Sequence, residues 1–518
     1  MWRRLYLCLV LVRLYFALSP SYIHPDEHFQ GPEIIAGEVF GYPSYKTWEF
    51  TSSQPVRSIF PFWLIYGWPL TVLKWIWEGL GYGPVPPSIA FYTLRLLMFL
   101  LSFILGDWAI HELIPTINQR RTAIILVASS YVTWTFQTHT FSNSIETLVV
   151  LWSLVLIQRL RDNTQDTQAS ASGVLAFLGV LGVFNRITFP AFLVIPLAQI
   201  VPGLYYKPLR IPVMLFVGLL TLAIAITMDT EYYSGHRPHL REFHKDAVIT
   251  PWNNLAYNVD ESNLAKHGLH PFWQHFVANL PQLIGPAIPL LFVSSLKNTL
   301  FWSGVIGIAV LSAFRHQEPR FLLPAVPLLL SSIKVPRRGA RWWAGAWVVF
   351  NVFAGILFGI YHQGGAVPAQ TWIAQQDNID TVFWWKTYSP PRWLLDGKNH
   401  EVKTMDLMGT PGEGLIAQLT GDSACESAVN GTLLVAPSSA TFLDAFTGEA
   451  GGSSELVFSP QWQYRRHIGL DDLDFGDDGV WPTLHRVIGR RGLTIWRTGR
   501  PSRVRTPEEF SNLTGSSF

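Results

Sequence analysis

Residues 24–30 read His24-Pro25-Asp26-Glu27-His28-Phe29-Gln30 and follow directly on an apolar segment. Adjacent carboxylates repel each other and must be held by partners. A carboxylate at a bilayer edge has its proton affinity raised by desolvation, which suits a general base. Helix capping is the plainer reading, since an acid in the first turn after a proline is ordinary N-terminal chemistry. A second cluster lies in residues 47–61, where Trp48, Glu49 and Arg57 share one short loop. Trp48 and Glu49 could stack against a sugar and hydrogen-bond it. The planar fork of Arg57 suits a phosphate, or it snorkels from a turn-rich surface loop. Residues 229–233 put Asp229 and Tyr232 at the end of an apolar run, either shaping a pocket or forming an aromatic belt with a solvated acid. The loop 251–271 is rich in amides and rings, common but unspecific sugar-binding chemistry. In residues 316–321, His316, Glu318 and Arg320 crowd a tight turn next to apolar sequence, which is unusual. His316 and Arg320 could hold a lipid-linked phosphate while Glu318 orients one of them. The alternative is a turn that satisfies its own charges. His139 with Phe141–Ser144, and Asn185-Arg186 with Thr188, complete the polar turns. No Walker loop, GxGxxG opening a helix, HExxH or paired CxxC occurs, and isolated histidines read as packing groups, so no metal is expected.

The elements that must position these clusters are membrane helices. The chain has 518 residues, 49% of them hydrophobic and only 14% charged. An ordinary soluble domain carries about 25% charged residues. The 22 Trp and 33 Phe suit an aromatic-rich membrane protein. A net charge of +2 gives no argument for nucleic acid as a partner. Cys8 and Cys425 lie too far apart in character and sequence to suggest a disulfide. Residues 2–18 resemble a signal peptide at their end, Ala17-Leu18-Ser19, but Arg13 interrupts the apolar run and favours an uncleaved first helix. That arginine faces other helices, snorkels, or meets an anionic lipid head.

A span needs about 20 apolar residues. Candidates are 3–20, 88–109, 121–138, 143–160, 173–187, 189–204, 209–228, 272–295, 298–314, 320–333 and 340–361, about eleven in all. Basic clusters fall between alternate candidates: Arg3-Arg4, Arg120-Arg121, Arg159 with Arg161, Lys207 with Arg210, Lys297, and Lys334 through Arg341. The positive-inside rule places them in the cytosol, with a cytosolic start and a lumenal end. Counting residues 61–78 as a span would put Arg120-Arg121 on the wrong side, so this segment is expected to be interfacial or re-entrant, with Lys74 and Glu78 forming a surface pair. The lumenal pieces then include 21–87, 229–271 and everything from 362. They hold nearly every polar cluster described above. Asn430 and Asn512 head glycosylation triplets in that tail. The expected domains are a membrane domain over 1–361, a small, partly β lumenal domain over 362–499 with strands near Gly431–Ala436 and Leu493–Trp496, and a disordered tail over 500–518.

HPDEHFQ, the WEF…PVRS…FP loop, Asp-Thr-x-Tyr-Tyr and HQEPRFL together resemble glycosyltransferase family 22. These are the dolichyl-phosphate-mannose-dependent α-mannosyltransferases of the GT-C superfamily. The likeness spans roughly residues 1–330 and keeps the motif order. Within the family, the pattern resembles most the branch acting on GPI-anchor precursors that already carry three mannoses. The resemblance implies a GT-C type helical bundle in the endoplasmic reticulum membrane, with lumenal loop helices and a lumenal active site. It implies dolichyl phosphate mannose as donor, a fourth mannose added in α-1,2 linkage, and one inverting displacement. Asp26 is then the first choice for the base and Glu27 the second. His24, Trp48, Glu49, Arg57, Arg186, His316, Glu318 and Arg320 are expected at the substrates, and Asp229 and Tyr232 around the sugar. Neither metal nor cofactor is implied. The rivals are a mannosyltransferase acting on another GPI mannose or on the lipid-linked N-glycan precursor, and, more remotely, a lipid transporter or scramblase. A transporter gathers its polar residues near the midplane and shows a repeat, whereas here they gather at one face.

Overall fold

The computed structural model describes residues 2–162, 168–236, 246–266, 268–293, 295–422, 431–447, 456–473 and 475–499. Asn430, Asn512, Cys425 and the expected tail 500–518 lie outside them. The chain divides into two compact units. One takes Met1–Ile360 with Pro391–Gly397, the other Tyr361–Pro390 and the chain from Lys398.

The first unit is helical. Among the described residues, six helices are long and apolar enough to cross a membrane: Pro87–Leu113, Ser142–Asp162, Phe189–Tyr206, Arg210–Ser234, His275–Val293 and Ala340–Tyr361. Ala169–Asn185 and Thr299–Leu311 are apolar but shorter. Burial separates centre from rim. The apolar window of Ser142–Asp162 is 83% buried inside the protein, that of Arg210–Ser234 only 17%. The first therefore packs against protein all round and the second faces outward. Close packing uses small residues, as membrane helices do. A side chain at Gly307 would collide with the Phe192 ring.

Several expectations change in the structure. Arg13 meets no lipid head: its Nη2 lies 3.2 Å from both carboxylate oxygens of Asp107, to which the Tyr6 hydroxyl also donates. The expected span 121–138 is not one helix. It runs as Ile117–Ala128, then breaks into the short turns Tyr131–Trp134 and Phe136–Thr138. The break is tolerated because its freed groups find partners. The Tyr131 amide donates to Asn351 Oδ1, and the Trp347 indole donates to Ser129 Oγ. The expected span 320–333 shrinks to the turn Pro319–Leu322 and the wholly buried helix Ala325–Ser331. Residues 60–79 are helical, interrupted by a wider π turn at Trp63–Gly67, and expose Trp68, Val72, Trp75 and Ile76. Lys74 does not pair with Glu78 there; its ammonium donates to the Val39 carbonyl at 2.8 Å.

The second unit carries a five-stranded sheet in the order β2-β1-β3-β5-β4, with β1 Thr381–Trp385, β2 Lys403–Met408, β3 Thr432–Pro437, β4 Val457–Tyr464 and β5 Leu493–Gly499. β1 pairs in parallel with β2 and β3, while β5 runs antiparallel to β3 and β4. All six residues of β3 are buried, as a central strand covered on both faces requires. Phe383, Leu407, Leu415, Leu434 and Phe458 form its core under the helix Gly412–Asp422. The two strands foreseen from sequence are β3 and β5.

Candidate active site

Asp26 and Glu27 open the single-turn helix Asp26–Phe29, whose N-cap is Pro25. Successive helix residues point about 100° apart, so the two carboxylates part company. Asp26 does not cap its own helix. Its Oδ2 accepts from the Gln30 amide and from Arg320 Nη1, a residue far away in sequence. Glu27 turns inward and is fully buried. It accepts the Ile23 amide at 2.8 Å and His139 Nδ1 at 2.5 Å, with Arg95 at 3.5 Å. Burial would raise the Glu27 carboxyl, but His139 and Arg95 outweigh it and hold it at about 2. Glu27 thus anchors the turn that presents Asp26.

Asp26 faces a cavity of about 660 Å³. Its lining brings together residues from four separate clusters: His24 and Asp26, Trp48 with Glu49 and Arg57, Arg186, and His316 with Glu318 and Arg320. Pro190, Val194, Val310, Leu311 and Phe314 add an apolar lining.

The charged residues form a closed set of pairs. Arg57 donates to Glu49 Oε1 through Nε at 2.9 Å and approaches it through Nη2 at 2.8 Å. Arg320 grips Glu318 through Nε and through Nη2, the latter at 3.0 Å, and Glu318 also meets His316 Nε2 at 3.0 Å. The turn 316–321 therefore satisfies its own charges, yet Arg320 still reaches Asp26. Arg186 lies 3.2 Å from Glu146, donates to Thr188 and Ser142, and stacks on the Phe321 ring. Burial alone would raise the Asp26 carboxyl; Arg320 and then His24 outweigh it and hold it well below the usual carboxylate range. Glu318 is held low in the same way by Arg320 and His316.

Three expected residues lie elsewhere. Glu27 sits behind the cavity, as described. Asp229 is fully buried and works as a strut, accepting from Ser58 Oγ, the Ile59 amide and Thr250 Oγ1. It thereby fastens the Arg57 loop to the helix Thr250–Val259. Tyr232 stacks under Lys46 outside the cavity lining. Its neighbour Tyr233 donates to the Arg57 carbonyl at 2.5 Å. Sequence reasoning passed over Tyr233 and Glu146. Glu146 could have been found as an acid inside an apolar helix, which demands a partner. Among the described residues no three of His, Cys, Asp and Glu converge as a metal site would require.

Residues 4–395 match the Alg9-like mannosyltransferase family. The chain belongs to that family. It is an enzyme of the glycosyltransferase class, and its motifs fall within the matched region. It is 49% identical to a GPI mannosyltransferase 4 of Aspergillus oryzae, over 96% of this chain and 99% of that one. It is 48% identical to the protein of the same name from Emericella nidulans, over 97% and 99%. It is 34% identical to that of Saccharomyces cerevisiae, over 90% and 94%. Among solved structures it is similar in fold to ArnT from Cupriavidus metallidurans bound to undecaprenyl phosphate. That match has a TM-score of 0.50 and 13% identity, over 95% of this chain and 98% of that one. The likeness is one of fold.

Proposed function

We propose that this enzyme transfers mannose from dolichyl phosphate mannose to a GPI-anchor precursor carrying three mannoses, as a fourth, α-1,2-linked residue. The carrying observation is the mixed lining of the cavity. A polyprenyl phosphate sugar is apolar at one end and anionic at the other, and this lining supplies both apolar side chains and three arginines. The identity to the GPI mannosyltransferase 4 relatives supports the acceptor.

The acceptor hydroxyl attacks the anomeric carbon while the bond from that carbon to the phosphate oxygen breaks. Dolichyl phosphate leaves with the electron pair, and the anomeric centre inverts. Asp26 takes the hydroxyl proton. Three carboxylates line the cavity, and pairing separates them: Glu49 and Glu318 are each held twice by an arginine, Asp26 by one arm of Arg320 and an amide, with the His24 ring 3.4 Å away. The leaving phosphate needs positive charge placed in advance rather than an acid. Arg57, Arg186 and Arg320 supply it, with His24 and His316 beside them, so the chemistry is proposed to run without a metal.

The basic clusters between alternate apolar segments support crossings beyond the six long helices, about eleven in all if the broken segments 117–138 and 319–331 are counted as spans. They also support a cytosolic N-terminus, with the active site and the C-terminal domain in the lumen of the endoplasmic reticulum. The decisive experiment gives labelled dolichyl phosphate mannose to microsomes that lack the endogenous activity and carry this protein. A labelled tetramannosyl GPI precursor is expected. Labelling of the lipid-linked N-glycan precursor instead would overturn the acceptor assignment.

A further inference from the structure

The cavity does not end at Trp48. The Trp48 and Tyr257 rings stack with centroids 4.7 Å apart and 30° between planes. Both rings, with Val56, line the cavity on one side and a second groove of about 810 Å³ on the other. The groove lies between residues 51–54 and the helices Thr250–Val259 and Glu261–Ala265. Its size falls within the roughly 300–1,000 Å³ that holds a drug-sized ligand, so it has room for more than one sugar ring.

Its chemistry differs from that of the cavity. Ser52, Ser53, Gln54, Asn253, Asn263 and Lys266 line it, mostly neutral hydroxyls and amides. The one acid, Asp260, is occupied as a helix cap, accepting the Ser262 amide at 2.9 Å and its hydroxyl at 2.7 Å. Among the described residues no arginine lines it. The lining suits a neutral polyhydroxyl ligand, whose hydroxyls both donate and accept. The walls are also fixed to each other: Asn253 donates to the Pro55 carbonyl and Asn254 to the Val56 carbonyl, each at 3.1 Å. A groove whose walls are held before binding loses little entropy when filled.

We propose that this groove is the subsite for the acceptor's neutral mannosyl arm. Trp48 and Tyr257 form the ring platform over which the arm enters the cavity. The donor's lipid needs the apolar lining of Val194, Val310 and Phe314, which leaves the Trp48 side for the acceptor. The terminal sugar crosses the stacked rings and offers its hydroxyl toward Asp26, while the sugars before it stay in the amide-lined groove. This inference rests on the proposed glycan acceptor and adds where that glycan lies.

The test separates the two. Full-length protein in nanodiscs is examined by saturation-transfer NMR with a free α-linked trimannoside, beside Ser53→Trp, which fills the groove from an exposed position, and Asn263→Leu. Trp48→Ala and Trp48→Phe probe the platform. Saturation transfer is expected with wild type, to be lost in Ser53→Trp, weakened in Asn263→Leu and Trp48→Ala, and kept in Trp48→Phe. In the transfer assay Ser53→Trp is expected to raise the acceptor KM about tenfold or more while kcat and the donor KM hold, the signature of lost uniform binding. Equal trimannoside binding by wild type and Ser53→Trp, or none by wild type, overturns the groove assignment. So does a donor KM that rises as much as the acceptor KM. Groove-dependent binding without transfer to a trimannosyl GPI precursor upholds the groove and overturns the acceptor named above.

Discussion

Asp26 and Glu27 are neighbours in sequence and opposites in structure, so neutralising each should fail differently. Asp26→Asn keeps the shape of the side chain and removes the proton acceptor. General-base catalysis contributes about 10²–10⁴ in rate, or about 3–5 kcal/mol of barrier. Arg320 would keep both of its contacts to Glu318, so the variant should fold, with a melting temperature close to wild type. Glu27→Gln removes the carboxylate that faces Arg95, which is 1% exposed. Stripping one partner from a buried ion pair costs about 3–5 kcal/mol, because the other charge stays buried. Its damage should appear as lost yield and a lowered melting temperature in detergent, with transfer per folded molecule within about tenfold of wild type. The pH dependence follows the same logic. The Glu27 carboxyl is held at about 2 in the folded protein, below its ordinary value of 4.5. The stability it contributes is present above pH 4.5 and is lost as pH falls toward 2. Wild type should therefore lose its advantage over Glu27→Gln as the solution is acidified. Mannose transfer and thermal unfolding on matched, purified samples decide the matter. An Asp26→Asn enzyme that keeps more than about a tenth of its rate would refute the assignment of the base. So would a Glu27→Gln enzyme that melts normally and is dead.

Arg320→Gln removes the largest charge that holds Asp26 low, leaving burial and Glu318 to push the carboxyl up against His24 alone. The acid limb of the kcat/KM profile should move upward by about one to three pH units, and an unmoved limb would show that Asp26 is not the titrating base. Arg13→Leu and Asp107→Leu should each destabilise by about 3–5 kcal/mol, while the double variant should be close to neutral; additive losses in a thermal double-mutant cycle would contradict the pairing. Asn430→Gln should abolish one endoglycosidase-sensitive shift in gel mobility, which places the tail in the lumen, whereas wild type with no such shift counts against that side.

How much of the molecule is readable in its sequence depends on range. The clusters around Asp26, Arg57, Arg186 and Arg320 stand out because charge beside apolar sequence demands an explanation, and all four converge on one cavity. Charge parity along the chain is the ground for the proposal that they share one side of the membrane. Which face of a turn a residue takes is not readable. Asp26 against Glu27, and Tyr233 against Tyr232, are choices between adjacent helix positions that only long-range partners settle. Arg13 finds Asp107 across 94 residues, a pairing that no local pattern announces. The break after Ala128 is stabilised by Asn351, far along the chain, so an apolar count over 121–138 runs through it. In the tail, β3 and β5 are legible as apolar strands. The parallel strands β1 and β2 are not, since a parallel pairing has no turn signal between its partners.

The resting site neutralises itself, and that bears on how the reaction is timed. Each arginine in the cavity already has a carboxylate, so an arriving phosphate must compete for it rather than fill a gap. At Arg320 this competition has a second effect. Every fraction of its charge drawn to the phosphate is withdrawn from Asp26, whose proton affinity then rises toward what burial alone would set. A base held low in the empty enzyme thus strengthens when the donor is in place. The pull grows along the reaction coordinate, because the phosphate carries one negative charge as a diester and gains another as it leaves. An interaction that strengthens toward the transition state is the kind that raises kcat rather than merely lowering KM. On the proposed mechanism, Arg320 is therefore the residue through which the donor's arrival, the base's strength and the leaving group's charge are coupled.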